Sequence, residues 1–209
     1  IGAGDGGTVR ELTRYKSIKK IDLVEIDKLV VDICKEYIPQ TASKLNDCRV
    51  NIYNEDGVEF VRNKLDQYDL IIVDSTDPFG PGEPLFSVEF YKNCYKALRE
   101  DGILVNQHES PYYPGDAIEM QSAHKKLKSV FPIARVYQAH IPTYSSGHWL
   151  FGFASRKYDP VADLKENQWN SLGIRTKYYN TELHKGSFAI PNYVKELLEE
   201  SFDQLNNSR

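Results

Sequence analysis

Hydrophobic and polar positions along the 209-residue chain form two alternating kinds of segment. Short apolar runs rich in β-branched residues indicate strands, and longer runs with apolar residues at helical spacing indicate helices. We predict strands at residues 21–26, 49–53, 69–74, 103–107, 135–141 and 148–155. Helices are predicted near residues 8–16, 28–38, 57–66, 87–98, 116–130 and 191–202. Ser87 is the predicted N-cap of the fourth helix, and Pro191 starts the last one.

The order of these elements indicates the fold class. Apolar strands that alternate with helices are typical of a parallel sheet with helices on both faces. We therefore predict an α/β protein with a doubly wound, mostly parallel sheet, whose last two strands form an antiparallel pair. Pro39 is expected to end the second helix, and Asp101-Gly102 to form a turn. The chain opens on a glycine loop that needs a strand before it, so we interpret it as a piece whose first strand is left out.

Composition narrows the classes of function. A net charge of −4 argues against a nucleic-acid-binding surface, which needs a basic stripe. The three cysteines are dispersed and odd in number, so neither a disulfide framework nor a zinc cluster is expected, and a reducing cytoplasm is the expected compartment. No apolar run reaches membrane-spanning length and no signal peptide is visible, which predicts no membrane partner.

The glycine loop at residues 2–7, GAGDGG, fits the pattern G-x-G-x-x-G through Gly2, Gly4 and Gly7. Such glycines let the backbone approach a ligand at the start of a helix, although the same pattern can be a tight turn without a ligand. Glu25 ends the next strand, where an acidic side chain accepts both hydroxyl groups of an adenosine ribose.

Asp56 and Gly57 follow the third strand, where a carboxylate can reach an adenine edge or simply form an Asp-Gly turn. These features suit a nicotinamide cofactor as well as a sulfonium such as S-adenosylmethionine. Asp5 favours the sulfonium, because a carboxylate inside the loop repels an anion and attracts an ammonium group. The alternative role of Asp5 is a helix cap.

Residues 74–86, DSTDPFGPGEPLF, place two carboxylates directly after a buried strand. Asp74 and Asp77 would each favour a cation between them, so together they could bind an amine and accept its proton. The glycines and prolines at residues 80–84 predict a loop of defined shape that closes over the site. Asp77 before Pro78 also fits a simple turn.

The segments IGAGDGGTVRE, DLVEID, YDLIIVDSTDPFGPGEPLFSVEFY and IPTYSSGHW, with the Asp-Gly pair, resemble the spermidine synthase family in order and spacing. The resemblance runs from residue 1 to about 155. It implies a Rossmann-like, class I methyltransferase-like fold and a single nucleoside-binding catalytic domain over residues 1–209, with about 156–209 as a C-terminal extension. The family's N-terminal β-domain and first strand are not present in this sequence.

The resemblance also implies a reaction and a set of roles. An aminopropyl group passes from decarboxylated S-adenosylmethionine, a co-substrate and not a cofactor, to putrescine, giving spermidine and methylthioadenosine. Asp74 matches the proton acceptor, Asp77 a putrescine contact and Asp5 the partner of the aminopropyl ammonium. Glu25 matches the ribose ligand. The remaining implied contacts are Asp56 and Gly57 at the adenine, Pro81 beside methylthioadenosine and Tyr144 near the diamine.

Three further side chains are candidates for the crevice that would hold the two substrates. Trp149 could pack on the methylene stem of the diamine, or could be an ordinary aromatic residue of a strand core. Gln107 and Glu109 follow the fifth strand and are further possible contacts. We expect no metal, because the leaving group is already cationic and the histidines have no ligand spacing. His140 and His148 are expected to be ordinary strand-end residues.

The resemblance implies a homodimer or homotetramer. Three other functions stay open at this point. A putrescine N-methyltransferase would use carboxylated S-adenosylmethionine on the same fold. A nicotinamide dehydrogenase would need an anion-binding loop, which Asp5 opposes. A polyamine-binding protein without activity would not need the pair of Asp74 and Asp77.

Overall fold

The computed structural model describes residues 1–78 and 80–199, with the side chain of Pro81 outside the description. The chain forms two compact units, the first spanning Ile1–Arg99 and the second beginning at Glu100. The prediction of one catalytic domain with a C-terminal extension stays a prediction. In the described ranges, no helix has the length and apolar character needed to cross a membrane.

Parallel strands organise the first unit, as the sequence predicts. These strands are β1 (Ile21–Val24), β2 (Val50–Tyr53) and β3 (Tyr68–Val73). β1 and β2 pair in parallel, with Ile21 opposite Val50. Apolar residues at every second position bury one face of β1 in a core cluster with helix residues such as Val9 and Val31.

The first three residues of the chain lie between β1 and β3. The Gly2 amide donates to the Val24 carbonyl at 2.9 Å, and the Ala3 amide donates to the Asp74 carbonyl at 2.9 Å. Gly2 and Asp74 form a parallel bridge. A cavity of about 640 Å³ is lined by both strands along their length, at Ile21–Val24 and residues 68–72, and by Ile1 and Ala3. The glycine loop therefore starts at the carboxyl ends of two strands at once, which is where open α/β sheets bind ligands.

Six helical segments surround these strands: α1 (Gly7–Leu12), α2 (Lys28–Tyr37), α3 (Pro39–Ala42), α4 (Gly57–Arg62), a 3₁₀ helix (Gly80–Phe86) and α5 (Val88–Ala97). Ser87 caps α5 by accepting from the Phe90 amide at 3.1 Å, as predicted. Pro39 starts the short helix α3 as well as following α2, because proline suits a first helical position. α1 and α4 end four residues earlier than predicted.

Antiparallel strands organise the second unit, in the order β4–β6–β5: β4 (Leu98–Glu109, whose first two residues belong to the first unit), β5 (Ile133–His140) and β6 (His148–Ser155). The predicted antiparallel pair of the last two strands is confirmed. β4 is much longer than the predicted 103–107, and it includes the Asp101-Gly102 pair that we expected to form a turn.

The helices of the second unit are α6 (Pro114–Lys128), α7 (Glu166–Ser171), α8 (Thr181–Ser187) and α9 (Asn192–Glu199). α7 and α8 lie in the C-terminal extension that the resemblance implies, where the sequence analysis predicted only the last helix. Val194 of α9 is fully buried against Met120, Val136 and Leu150, which anchors the C-terminal helix on the sheet. The end of its predicted range, residues 200–202, lies outside the described residues.

Candidate active site

Two glycines of the loop at 2–7 are in close contact with the residues that follow β1 and β3, Gly2 with the backbone of Asp74 and Gly4 with the side chain of Glu25. Gly2 has φ +75°, and a β-carbon there would lie 2.1 Å from the carbonyl oxygen of Asp74. A β-carbon at Gly4 would lie 2.8 Å from Cγ and Oε2 of Glu25. The loop thus touches the first residue after β3 and the first residue after β1, and it brings the predicted residues Gly2, Gly4, Glu25 and Asp74 together.

Asp5 is half-buried in the same loop, and its Oδ2 lies 3.1 Å from where a β-carbon of Gly7 would be. The alternative role of Asp5 as the cap of the first helix is wrong. The N-cap of α1 is Gly6, in a left-handed conformation, and no side chain completes that cap. The Asp5 carboxylate is therefore not committed to capping α1.

Glu25 and Asp56 sit at the ends of β1 and β2 and have different local partners. One oxygen of Glu25, Oε1, accepts from the Asp27 amide at 3.0 Å. Asp56 accepts from the Val58 amide at 2.8 Å through Oδ1 and is the N-cap of α4, a role that the sequence analysis did not predict. Its place at the adenine stays a prediction. Gly57 is buried, and a β-carbon there would lie 2.4 Å from Cγ2 of Ile1, so a side chain at this position would displace the Ile1 side chain.

Asp74 combines a fixed backbone with an exposed side chain. Its amide donates to the Ile1 carbonyl at 2.9 Å, and its own carbonyl accepts from Ala3 at 2.9 Å. The carboxylate receives a hydrogen bond at Oδ2 from the Thr8 hydroxyl, 3.0 Å away. Sequence reasoning missed Thr8, because this contact joins residues 66 positions apart.

The segment after Asp74 turns into a 3₁₀ helix. Asp77 is exposed, and a β-carbon at Gly82 would lie 2.5 Å from the Asp77 carbonyl and 2.7 Å from Oγ1 of Thr76. Gly82 thus lets the helix fold back on the loop that carries Asp77, which supplies the defined shape that the glycines and prolines predict. The Pro81 side chain lies outside the described residues, so its implied contact stays a prediction.

In the second unit, Tyr144 stacks on Trp149, with ring centroids 4.1 Å apart and an angle of 27° between the planes. Trp149 is buried on β6, which agrees with a strand-core role. Tyr144 keeps 44% of its surface exposed and lies over it. The pair forms an aromatic platform with one accessible ring, which can receive an alkylammonium chain by cation–π and apolar contact.

Gln107 and Glu109 are buried near the end of β4, where the register with β6 shifts and Glu109 adopts φ 130°. Their predicted place in the nucleoside crevice stays a prediction. His148 lies at the start of β6 and contacts Tyr193 through Nδ1 and Gln138 through Nε2. Among the residues that the structure describes, no cluster of three or more histidine, cysteine or acidic side chains could hold a metal ion.

Comparisons with known proteins agree with this geometry. Residues 1–166 match the spermine/spermidine synthase domain. The polyamine aminopropyltransferase of Alkaliphilus oremlandii is 75% identical over 95% of this chain and 70% of its own length. The corresponding enzyme of Clostridium perfringens is 72% identical over the same shares. The chain thus spans about 70% of the length of these curated relatives.

Two crystal structures share the fold. A spermidine synthase in complex with the transition state analogue AdoDATO matches with a TM-score of 0.91 and 42% identity, over 95% of this chain and 67% of that one. The spermidine synthase of Thermotoga maritima matches with a TM-score of 0.89 and 41% identity, over 95% and 66%. The predicted resemblance and the α/β fold class are confirmed, and the chain belongs to the spermine/spermidine synthase family of transferases.

Proposed function

We propose that the protein transfers the aminopropyl group of decarboxylated S-adenosylmethionine to putrescine, with Asp74 as the general base. The observation that carries the proposal is that Asp74 has a fixed backbone and an exposed carboxylate. Its backbone is hydrogen bonded on both sides by Ile1 and Ala3, while its carboxylate stays exposed at the carboxyl end of β3. The relative with AdoDATO bound, a spermidine synthase, supports the reaction class.

The chemistry requires such a group. The ammonium groups of putrescine have pKa values near 10, like lysine, so an attacking amine must lose a proton first. A carboxylate within hydrogen-bond reach of that nitrogen removes the proton. The freed electron pair attacks the methylene carbon next to sulfur, the carbon–sulfur bond breaks, and its electrons stay on sulfur in neutral methylthioadenosine.

The other candidate carboxylates of the first unit, which are Asp5, Glu25, Asp56 and Asp77, bind the substrates in this proposal. Glu25 holds the ribose, Asp56 and Gly57 adjoin the adenine, and Asp5 attracts the ammonium of the aminopropyl group. Asp77 contacts putrescine as a second carboxylate beside Asp74. Positioning contributes strongly, since nitrogen, carbon and sulfur must lie in line for displacement. The implied diamine contacts of Tyr144 and Trp149, which lie in the second unit, stay predictions. A cytoplasmic homodimer or homotetramer also remains a prediction.

Product analysis tests this function. The full-length protein is incubated with decarboxylated or carboxylated S-adenosylmethionine and with putrescine, cadaverine, agmatine or spermidine, and the products are identified by mass spectrometry. We expect spermidine and methylthioadenosine in equal amounts from putrescine and the decarboxylated nucleoside. N-methylputrescine with adenosylhomocysteine would show a methyltransferase instead, and no product from any pair would indicate a binding protein.

A further inference from the structure

One oxygen of the proposed base has a partner that the reaction itself does not require. The Thr8 hydroxyl lies 3.0 Å from Oδ2 of Asp74. An ionised carboxylate can only accept, so the hydroxyl is the donor. We propose that Thr8 is a positioning residue, which fixes the Asp74 carboxylate so that Oδ1 is the oxygen that accepts the proton of the amine. This inference rests on the proposed role of Asp74.

The need for such a partner follows from the surroundings of Asp74. Hydrogen bonds to Ile1 and Ala3 fix its backbone but not its side chain, which is exposed. The terminal torsion of an aspartate is broad, so a carboxylate without a side-chain contact samples many orientations. General-base catalysis needs the acceptor oxygen within hydrogen-bond reach of one nitrogen, and a disordered carboxylate meets that condition only part of the time.

Thr8 is well suited to hold the carboxylate. It is the second residue of α1, and a β-branched side chain in a helix has few rotamers. Its neighbour Val9 is 2% exposed and anchors α1 in the core of the first unit. The Thr8 hydroxyl is therefore a hydrogen-bond donor on an anchored helix, and it restricts the orientation of the Asp74 carboxylate that it binds.

The proposed step accounts for every proton and electron pair. The proton leaves the amine nitrogen for Oδ1 of Asp74, and the nitrogen electron pair forms the new bond to carbon. Thr8 donates to Oδ2 before and after the transfer and neither gains nor loses a proton. Its contribution is to turnover and not to the affinity for the nucleoside, because no atom of the nucleoside is involved in the contact.

Steady-state kinetics on the full-length protein test the inference, with Thr8→Val as the variant that keeps the shape and loses the hydroxyl. We expect kcat to fall on the order of 10-fold or more, as for loss of a hydrogen bond to a charged group, with the nucleoside KM within about two-fold. Thr8→Ser keeps the hydroxyl and should restore kcat to within about three-fold of wild type. Thr8→Ala should repeat the loss seen with valine.

A double-mutant cycle separates positioning from a structural role. In an Asp74→Asn background, Thr8→Val should cause no further loss of kcat, because the group that Thr8 positions is no longer a base. The inference is overturned by wild-type kcat in Thr8→Val, by a serine variant as slow as valine, or by additive losses in the double variant. If Asp74→Asn alone kept normal turnover, the proposed base would fail first, and the role of Thr8 with it.

Discussion

The carbonyl oxygen of Asp74 lies where a side chain on Gly2 would have to be, 2.1 Å from the position of its β-carbon. This contact ties the start of the glycine loop to the residue that carries the proposed base. Both residues also form a parallel bridge, so the glycine loop and the loop that begins at Asp74 share one fixed point in the sheet.

Replacing Gly2 by alanine should therefore damage the fold and the site together. The new β-carbon meets backbone atoms that cannot move away, and the residue has φ +75°, where a non-glycine residue costs about 1–2 kcal/mol. We expect the free energy of unfolding to fall by more than about 2 kcal/mol in urea denaturation. Gly115→Ala is the matched control, since no atom lies within 4 Å of its added carbon and stability should not fall. Equal stability of both variants would contradict the contact.

The sequence was sufficient for features that depend on local pattern. Apolar runs predict the strands of both units, and Ser87 was identified as a cap because its hydroxyl is placed three residues before Phe90. The Asp-Gly pair at 101 was wrong as a turn, because both residues lie inside the continuous strand β4, directly before its register with β6 begins at Ile103, and strand context overrides the local turn preference. Thr8 could not be found, since its partner is set by the packing of α1 beside the end of β3.

The charge of Asp5 predicts a preference between nucleosides. Decarboxylated S-adenosylmethionine should bind the full-length protein more tightly than the carboxylated form, because a half-buried carboxylate attracts an ammonium and repels a carboxylate. Calorimetric titration of Asp5→Asn should show that preference reduced on the order of 10-fold. Glu36→Gln, an exposed change on α2, should leave it unaltered. Identical preferences in wild type and Asp5→Asn would rule out this role.

A buried histidine pair in the second unit predicts acid sensitivity. His108 and His124 have ring centroids 5.8 Å apart and are almost fully buried. Burial lowers the pKa of His108 to about 3, and the neighbouring His124 lowers it as well. Burial, with a smaller effect of Lys128, lowers the pKa of His124 to about 4. Both rings are therefore neutral in the folded protein at neutral pH.

These depressed values fix the direction of the pH dependence. Above pH 6.5 the two histidines are neutral in both the folded and the unfolded protein, so the stability is fully present there. Between pH 6.5 and about 4 the unfolded chain binds protons that the folded protein does not, and each histidine can lower stability by up to about 1.4 kcal/mol per pH unit. Urea unfolding at pH 7.0 and 5.0 should show this loss. His124→Gln should reduce the slope and the exposed His140→Gln should not, and a slope unaffected by His124→Gln would contradict the assignment.

Asp74 and Asp77 share a loop, and we propose different roles for them. Steady-state kinetics against amine concentration test this assignment most directly, with Asp74→Asn and Asp77→Asn in the full-length protein. Loss of a general base should lower kcat by roughly 10²–10⁴-fold in Asp74→Asn, with little change in nucleoside binding. Asp77→Asn should raise the amine KM at least as much as it lowers kcat, which is the effect of lost substrate binding. Near-normal kcat in Asp74→Asn, or two variants that cannot be distinguished, would contradict the assignment of Asp74 as the base.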